Sequence, residues 1–128
     1  MSKAKESPPS RARTGQRGER EAARLLRRKG FKILARNWRR GRLELDLVCR
    51  EGPVLVFVEV RTRQSGARIA GFDSLSRPKK QALKRAASAY LQALRNKPDH
   101  FRFDLVEVTQ SDTGDFLPKH FENIDLST

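Results

Sequence analysis

The sequence predicts an α/β domain, with a mixed central sheet flanked by two helices and the element order α-β-β-β-α-β plus an optional last strand. Three observations predict it. Apolar residues recur at helical spacing in two stretches, residues 14–31 and 76–96. Apolar and polar residues alternate with period two in "LELDLVC" (43–49) and "FRFDLVEV" (101–108). Between them, "VLVFVEV" (54–60) is apolar on both faces, so it needs a helix over each side of its sheet.

In chain order, "MSKAKESPPSRAR" (1–13) has almost no apolar residues and two adjacent prolines, and is expected to be a disordered basic arm. Residues 14–128 form the single domain. Its first helix opens at Thr14 as N-cap and stops at Gly30, with Arg27, Arg28 and Lys29 near its end, where the macrodipole favours cations. Ala22, Leu25 and Leu26 mark its apolar face, Glu19 lies beside that face, and Arg20, Arg24, Arg27 and Arg28 mark a basic one. "FKILARNW" (31–38) reads as a strand. "LELDLVC" puts Leu43, Leu45, Leu47 and Cys49 on one face and Glu44, Asp46 and Val48 on the other. The short Gly52-Pro53 turn makes the strand at 54–60 its antiparallel neighbour. Residues 62–76 have no sustained period and read as a long loop. Ser76 caps the second helix, whose core stripe is Leu83, Ala87, Tyr90, Leu91 and Leu94. Its N-terminal half carries Lys79, Lys80, Lys84 and Arg85, against the macrodipole. "FLPKHFENIDL" (116–126) reads as a last edge strand, where Pro118 is tolerated.

Composition bounds the function. The chain has 128 residues and a formal net charge of +13. Residues 1–50 carry 16 Lys/Arg against 5 Asp/Glu, residues 51–98 carry 10 against 3, and residues 99–128 carry 2 against 7. A polyanion-facing surface therefore belongs to the first two-thirds of the chain, and nucleic acid is the commonest such partner. An anionic membrane surface or a ribosome-type structural role gives the same balance. The single cysteine, Cys49, excludes an internal disulfide and a Cys-rich metal site. It fits a reducing compartment, and with no spanning run and no secretory h-region the expected location is cytoplasmic. His100 and His120 lack ligand spacing and read as structural or solvent-facing, while Phe31, Trp38 and Tyr90 read as core.

One constellation carries chemistry. Glu44 and Asp46 lie on one strand of the hairpin, Glu59 and Arg61 on the next. Paired strands bring such residues within about 5–8 Å of each other. A divalent cation such as Mg²⁺ would neutralise carboxylates held so close, and could polarise a phosphodiester. The same residues also fit a wet strand face plus an i, i+2 ion pair, and spacing alone leaves both readings open. Glu59 is the awkward residue for the second, because Leu55 and Phe57 share its face and an acid continuing an apolar face needs a partner.

The stretches "GEREAARLLRRKGFKILARNW", "ELDLVCREGPVLVFVEVRTRQS", "KKQALKRAASAYL" and "FRFDLVEV", spanning residues 15–109 in order, resemble the bacterial UPF0102, or YraN-like, family. That family is similar in turn to the PD-(D/E)xK nuclease superfamily, archaeal Holliday junction resolvases above all. The resemblance implies a restriction-endonuclease-like αβββαβ core and a Mg²⁺- or Mn²⁺-dependent endonuclease acting on DNA. Glu19 matches the helix acid, Asp46 the second-strand acid with Glu44 as companion, and Glu59 the third-strand acid. Asp46 and Glu59, with Glu44 secondary, would hold the metal. Arg61 stands at the usual lysine position, Leu43 where the family commonly has glycine, and Gln81 resembles a helix residue some relatives use near the site. Arg20, Arg24, Arg27, Arg28, Lys79, Lys80, Lys84 and Arg85 would contact backbone phosphates. Junction cutting would call for a homodimer. Arginine stays protonated and cannot serve as a base. A non-catalytic nucleic-acid-binding module on the same fold, or a basic structural or assembly protein, are the alternatives.

Overall fold

The computed structural model describes residues 11–65 and 75–127, the first four as backbone only. The order is α1 (Arg11–Arg28), β1 (Lys32–Arg40), β2 (Leu43–Glu51), β3 (Val54–Gln64), α2 (Arg77–Ala93), β4 (His100–Gln110) and β5 (Phe116–Phe121). The five strands form one sheet in sequential order, antiparallel except for the parallel β3–β4 pair that α2 connects. This is the predicted α/β architecture, final edge strand included. The predicted arm lies outside the described residues up to residue 10.

The last strand stops at Phe121 instead of 126, and two further boundaries differ for a clear reason. α1 begins at Arg11, so Thr14 lies inside the helix instead of capping it. Residues 11–14 contain neither Gly nor Pro, and Arg and Ala are strong helix formers. β3 runs to Gln64, because parallel pairing with β4 continues to Gln64–Gln110 and overrides the weak local pattern of 62–64. The remainder of the expected loop, 66–74, lies outside the described residues.

The sheet has two apolar faces, as its doubly apolar central strand requires. On one, α1 contributes Ala22, Ala23 and Leu26 against Leu47, Cys49, Val56, Val58, Val106 and Val108. On the other, Leu83, Ala86 and Ala87 of α2 meet Leu45, Val48, Leu55, Phe57 and Leu105, with Ile124 and Leu126 of the returning C-terminus. Phe31 is buried in the first cluster; Trp38 and Tyr90 meet edge to face beside the second. Burial pushes the Cys49 thiol up to about 12, which leaves it a small apolar core residue.

The faces of β2 are a correction. Leu45 and Val48 pack toward α2, whereas Leu47 and Cys49 pack toward α1. Strict alternation would have kept Leu45, Leu47 and Cys49 together, so it breaks at Asp46. β1 breaks opposite: Ala35 and Trp38, an odd number of residues apart, both face α2. Asn37 lies between them with φ of 50°, a left-handed conformation that Asn tolerates better than most residues.

Gly18 sets how close α1 comes to the sheet. It is buried, and a Cβ there would collide with the Thr62 hydroxyl of β3. The close approach brings the next residue, Glu19, to the sheet. At the opposite end, Asp104 on β4 is fully buried and saturated. It accepts from Arg102 Nε (2.9 Å) and Nη2 (3.2 Å), from the Asn123 N–H (2.9 Å) and from His120 Nε2 (2.8 Å). Lys29 Nζ donates to His120 Nδ1 at 2.7 Å, so Nε2 carries the proton given to Asp104. His120 is thus structural, tying β4, β5 and the end of α1 together, while His100 is exposed. Burial pushes the Asp104 carboxyl up, but the bonds from His120, Arg102 and Asn123 outweigh it and hold the group below its ordinary range.

Two stability predictions result. Gly18→Ala should cost about 1–3 kcal/mol by overpacking, read as a lower urea midpoint. Asp104→Ala, which leaves Arg102 without its buried partner, should cost about 3–5 kcal/mol in the same assay. Because the native Asp104 pKa is depressed, its contribution is present above the unfolded carboxyl value of about 3.9 and fades as pH falls through the lower native value. The gap between wild type and Asp104→Ala should therefore narrow below about pH 4.

Candidate active site

Residue-by-residue pairing of β2 with β3 ends at Leu47–Val58. Beyond it the two strands part, and Asp46 occupies the gap. Its Oδ2 accepts the Val60 N–H at 2.8 Å, a donor that regular pairing would have given to a β2 carbonyl. Glu59 lies within hydrogen-bond reach of Asp46 and is itself buried on the α2 face. Lys79, in the first turn of α2, places Nζ 3.2 Å from Glu59 Oε2. Glu59, Val60, Arg61, Ser76 and Lys79 line an open cavity of about 460 Å³.

Glu19 approaches from the α1 side. The Asn37 side chain hydrogen-bonds to it, and Asp46 is close enough to act on its charge. Gln16, Glu19, Arg20, Arg36, Asn37 and Leu47 line a second cavity of about 220 Å³. Thus the sheet opens between β2 and β3 at Asp46, with a cavity on either side.

Charge is crowded here. Burial raises Glu59 to about 8, with the Asp46 charge as the second cause; Lys79 pulls the other way and only partly offsets them. Burial also raises Asp46, against the hydrogen bonds from the Val60 N–H and from Glu59. The two carboxyl groups lie within hydrogen-bond reach of each other, and the Asp46 charge disfavours the charged form of Glu59. Burial raises Glu19 too, followed by repulsion from Asp46, with Asn37 opposing.

Among the described residues, no three acidic, histidine or cysteine side chains come together as a ready metal-binding group. The set present is a pair of oxygen donors, Asp46 and Glu59, with Glu19 farther out. That pair suits Mg²⁺, which commonly uses one or two protein carboxylates and fills its other positions with water and phosphate oxygens. The pair therefore fits the implied ion.

Asp46 lies between Glu59 on the α2 side and Glu19 on the α1 side and acts on the charge of each, and Arg61 lines the cavity beside Glu59. Glu44 does not join them. It is half exposed and paired with Arg39 at 3.3 Å, although its charge still reaches Asp46 and Glu19. Arg20 lines the α1-side cavity, Arg24 pairs with Glu21 at 3.4 Å, and Arg27, Arg28 and Arg85 are exposed. Lys80 and Lys84 lie close enough to Asp125 to lower its pKa, though less than the Ser127 hydrogen bonds do. Gln81 is half-buried on α2. Sequence reasoning missed Asn37, Gln16 and Arg36. The first had a signal, since Asn is disfavoured within a strand and marks left-handed backbone.

The raised Glu59 pKa makes the fold less stable as pH rises between the unfolded carboxyl value, about 4.3, and about 8, because the native state binds the extra proton. Glu59→Gln should thus melt several degrees above wild type at pH 8 in metal-free buffer, and the gap should close toward pH 5. Thermal melts at the two pH values check this.

No helix among the described residues is long and apolar enough to cross a membrane. The model of the "Uncharacterised protein family UPF0102" matches residues 18–108, from the glycine against Thr62 to Val108 in β4. The chain is 50% identical over 101 residues to the UPF0102 protein of Nitratidesulfovibrio vulgaris strain DP4, covering 79% of this chain and 75% of that one. It is 43% identical over 107 residues to the UPF0102 protein of Anaeromyxobacter dehalogenans, covering 84% and 79%. With that of Lawsonia intracellularis it shares 39% over 110 residues, covering 86% and 83%. The matched span contains Glu19, Asp46, Glu59, Arg61 and Lys79, and the chain belongs to the UPF0102 family.

Proposed function

We propose that this protein binds DNA through its basic surfaces and hydrolyses phosphodiester bonds with a divalent cation, Mg²⁺ or Mn²⁺, held at the parting of β2 and β3. The observation that carries the reading is the hydrogen-bonded Asp46–Glu59 pair, half-buried and buried respectively, beside a cavity lined by Arg61 and Lys79, on a chain of net charge +13. A buried carboxylate pair is costly to a fold, and it marks a site for a cation more readily than a device for stability.

Asp46 and Glu59 would hold the ion, and its chemistry would be to neutralise the scissile phosphate and lower the pKa of a water beside it. Asp46 is fixed for this by the Val60 N–H, so its carboxylate has a set direction. Glu19, anchored by Asn37, would accept a hydrogen bond from water on the α1 side. Arg61 would face the phosphate as a permanent cation, stabilising charge that grows on its oxygens. Arg20 and Arg36 at the second cavity, and the exposed Arg27 and Arg28, would carry the flanking backbone.

Purified protein with branched, single-stranded and duplex DNA plus Mg²⁺ or Mn²⁺ tests the reading. Cleavage is expected to fall at least about 100-fold in Asp46→Ala and in Glu59→Ala, while DNA affinity changes little. Affinity should drop steeply between 50 and 200 mM salt, in proportion to the phosphates contacted. Binding without cleavage by any arm would leave a nucleic-acid-binding module, the reading that Arg61 at the lysine position favours. Arg61→Lys, assayed alongside, should raise the rate if the arginine limits it.

A further inference from the structure

We propose that Lys79 is the resident counter-cation of the Asp46–Glu59 pair, exchanged for the divalent ion when the site loads. The inference rests on the two-carboxylate metal reading above and assigns a role within it to a residue that sequence alone placed on the outer phosphate surface.

Five observations support it. Lys79 Nζ is 3.2 Å from Glu59 Oε2, where the Glu59 side chain is 8% exposed and that of Lys79 38%. The ammonium therefore enters the site from its open side. Its charge also reaches Asp46, so one cation serves both carboxyls. The backbone of Lys79 is fixed, since its N–H donates to the Ser76 cap at 3.2 Å; only the flexible four-carbon stem is free to swing. The cavity shared with Arg61 and Ser76 gives that stem somewhere to go. Finally, the first turn of α2 holds no acidic residue, and a cation there opposes the macrodipole. Glu59 is what makes the position favourable.

Exchange follows from charge. A divalent ion at Glu59 and an ammonium at the same oxygen would repel each other across a few ångströms. Loading the ion releases Lys79 into the cavity where a phosphate is expected, so no cation is lost from the site.

Isothermal titration of Mn²⁺ into wild type, Lys79→Met and Lys79→Arg tests the proposal without using catalysis. Lys79→Met is expected to bind Mn²⁺ about tenfold more tightly than wild type, because the competitor is gone, and Lys79→Arg to stay near wild type. Equal or weaker binding by Lys79→Met, or equal tightening in Lys79→Arg, overturns the role of Lys79 and leaves the metal reading standing. Absence of Mn²⁺ binding by both wild type and Lys79→Met overturns the metal reading, and this proposal with it. Should Lys79→Met fail to fold, wild type alone decides. Acetylation of Lys79, localised by mass spectrometry, should rise on adding saturating Mn²⁺ while that of Lys84 does not. No rise under conditions where Mn²⁺ binds overturns the exchange.

Discussion

The hydrogen bond from the Val60 N–H to the Asp46 carboxylate is the contact on which the site depends. Two strands that pair regularly from Glu51–Val54 to Leu47–Val58 must part somewhere, and parting exposes backbone donors and acceptors. Inside a sheet covered on both faces, such a group needs a partner. Asp46 supplies one from its own side chain, which lets the sheet open without an unsatisfied amide. The same bond holds a charge at the opening. Glu19, Glu59, Asn37 and Lys79 are arranged around the consequences of that charge.

The break in alternation follows from this. At Asp46 the strand turns its side chain into the gap between β2 and β3, so the residues on either side, Leu45 and Leu47, go to opposite layers. β1 makes a matching irregularity at Asn37, whose left-handed backbone would be costly for most residues. That Asn also hydrogen-bonds Glu19 joins the two features. The kink and the site are one local solution. Gly18 completes it by allowing α1 close enough to Thr62 for its next residue to reach the opening.

The molecule separates its charged groups by use. Asp104 is as buried as any residue in the chain, yet every oxygen is bonded and its pKa is held down. Glu59 is almost as buried and Asp46 half-buried; the two have fewer compensating bonds and raised pKa values. Both arrangements place acid among apolar strands, but only the first compensates the charge fully enough to hold the pKa down. Sequence alone does not distinguish them: "FDL" around Asp104 and "LDL" around Asp46 look alike, and only the partners differ.

Periodicity, turn residues and the apolar run at 54–60 determined the element order, the antiparallel hairpin, the cap at Ser76 and the edge placement of β5. These are local preferences, set by side-chain period and backbone freedom. The family resemblance likewise pointed to Glu19, Asp46, Glu59 and Arg61 as candidates. The parting of β2 and β3, the exclusion of Glu44, the recruitment of Asn37 and the placing of Lys79 against Glu59 were decided by tertiary structure. Lys79 lies 20 residues after Glu59 in the chain, and what brings them within 3.2 Å is the packing of α2 over the sheet. Charge interactions of that kind depend on burial and distance through space, which a one-dimensional pattern does not carry.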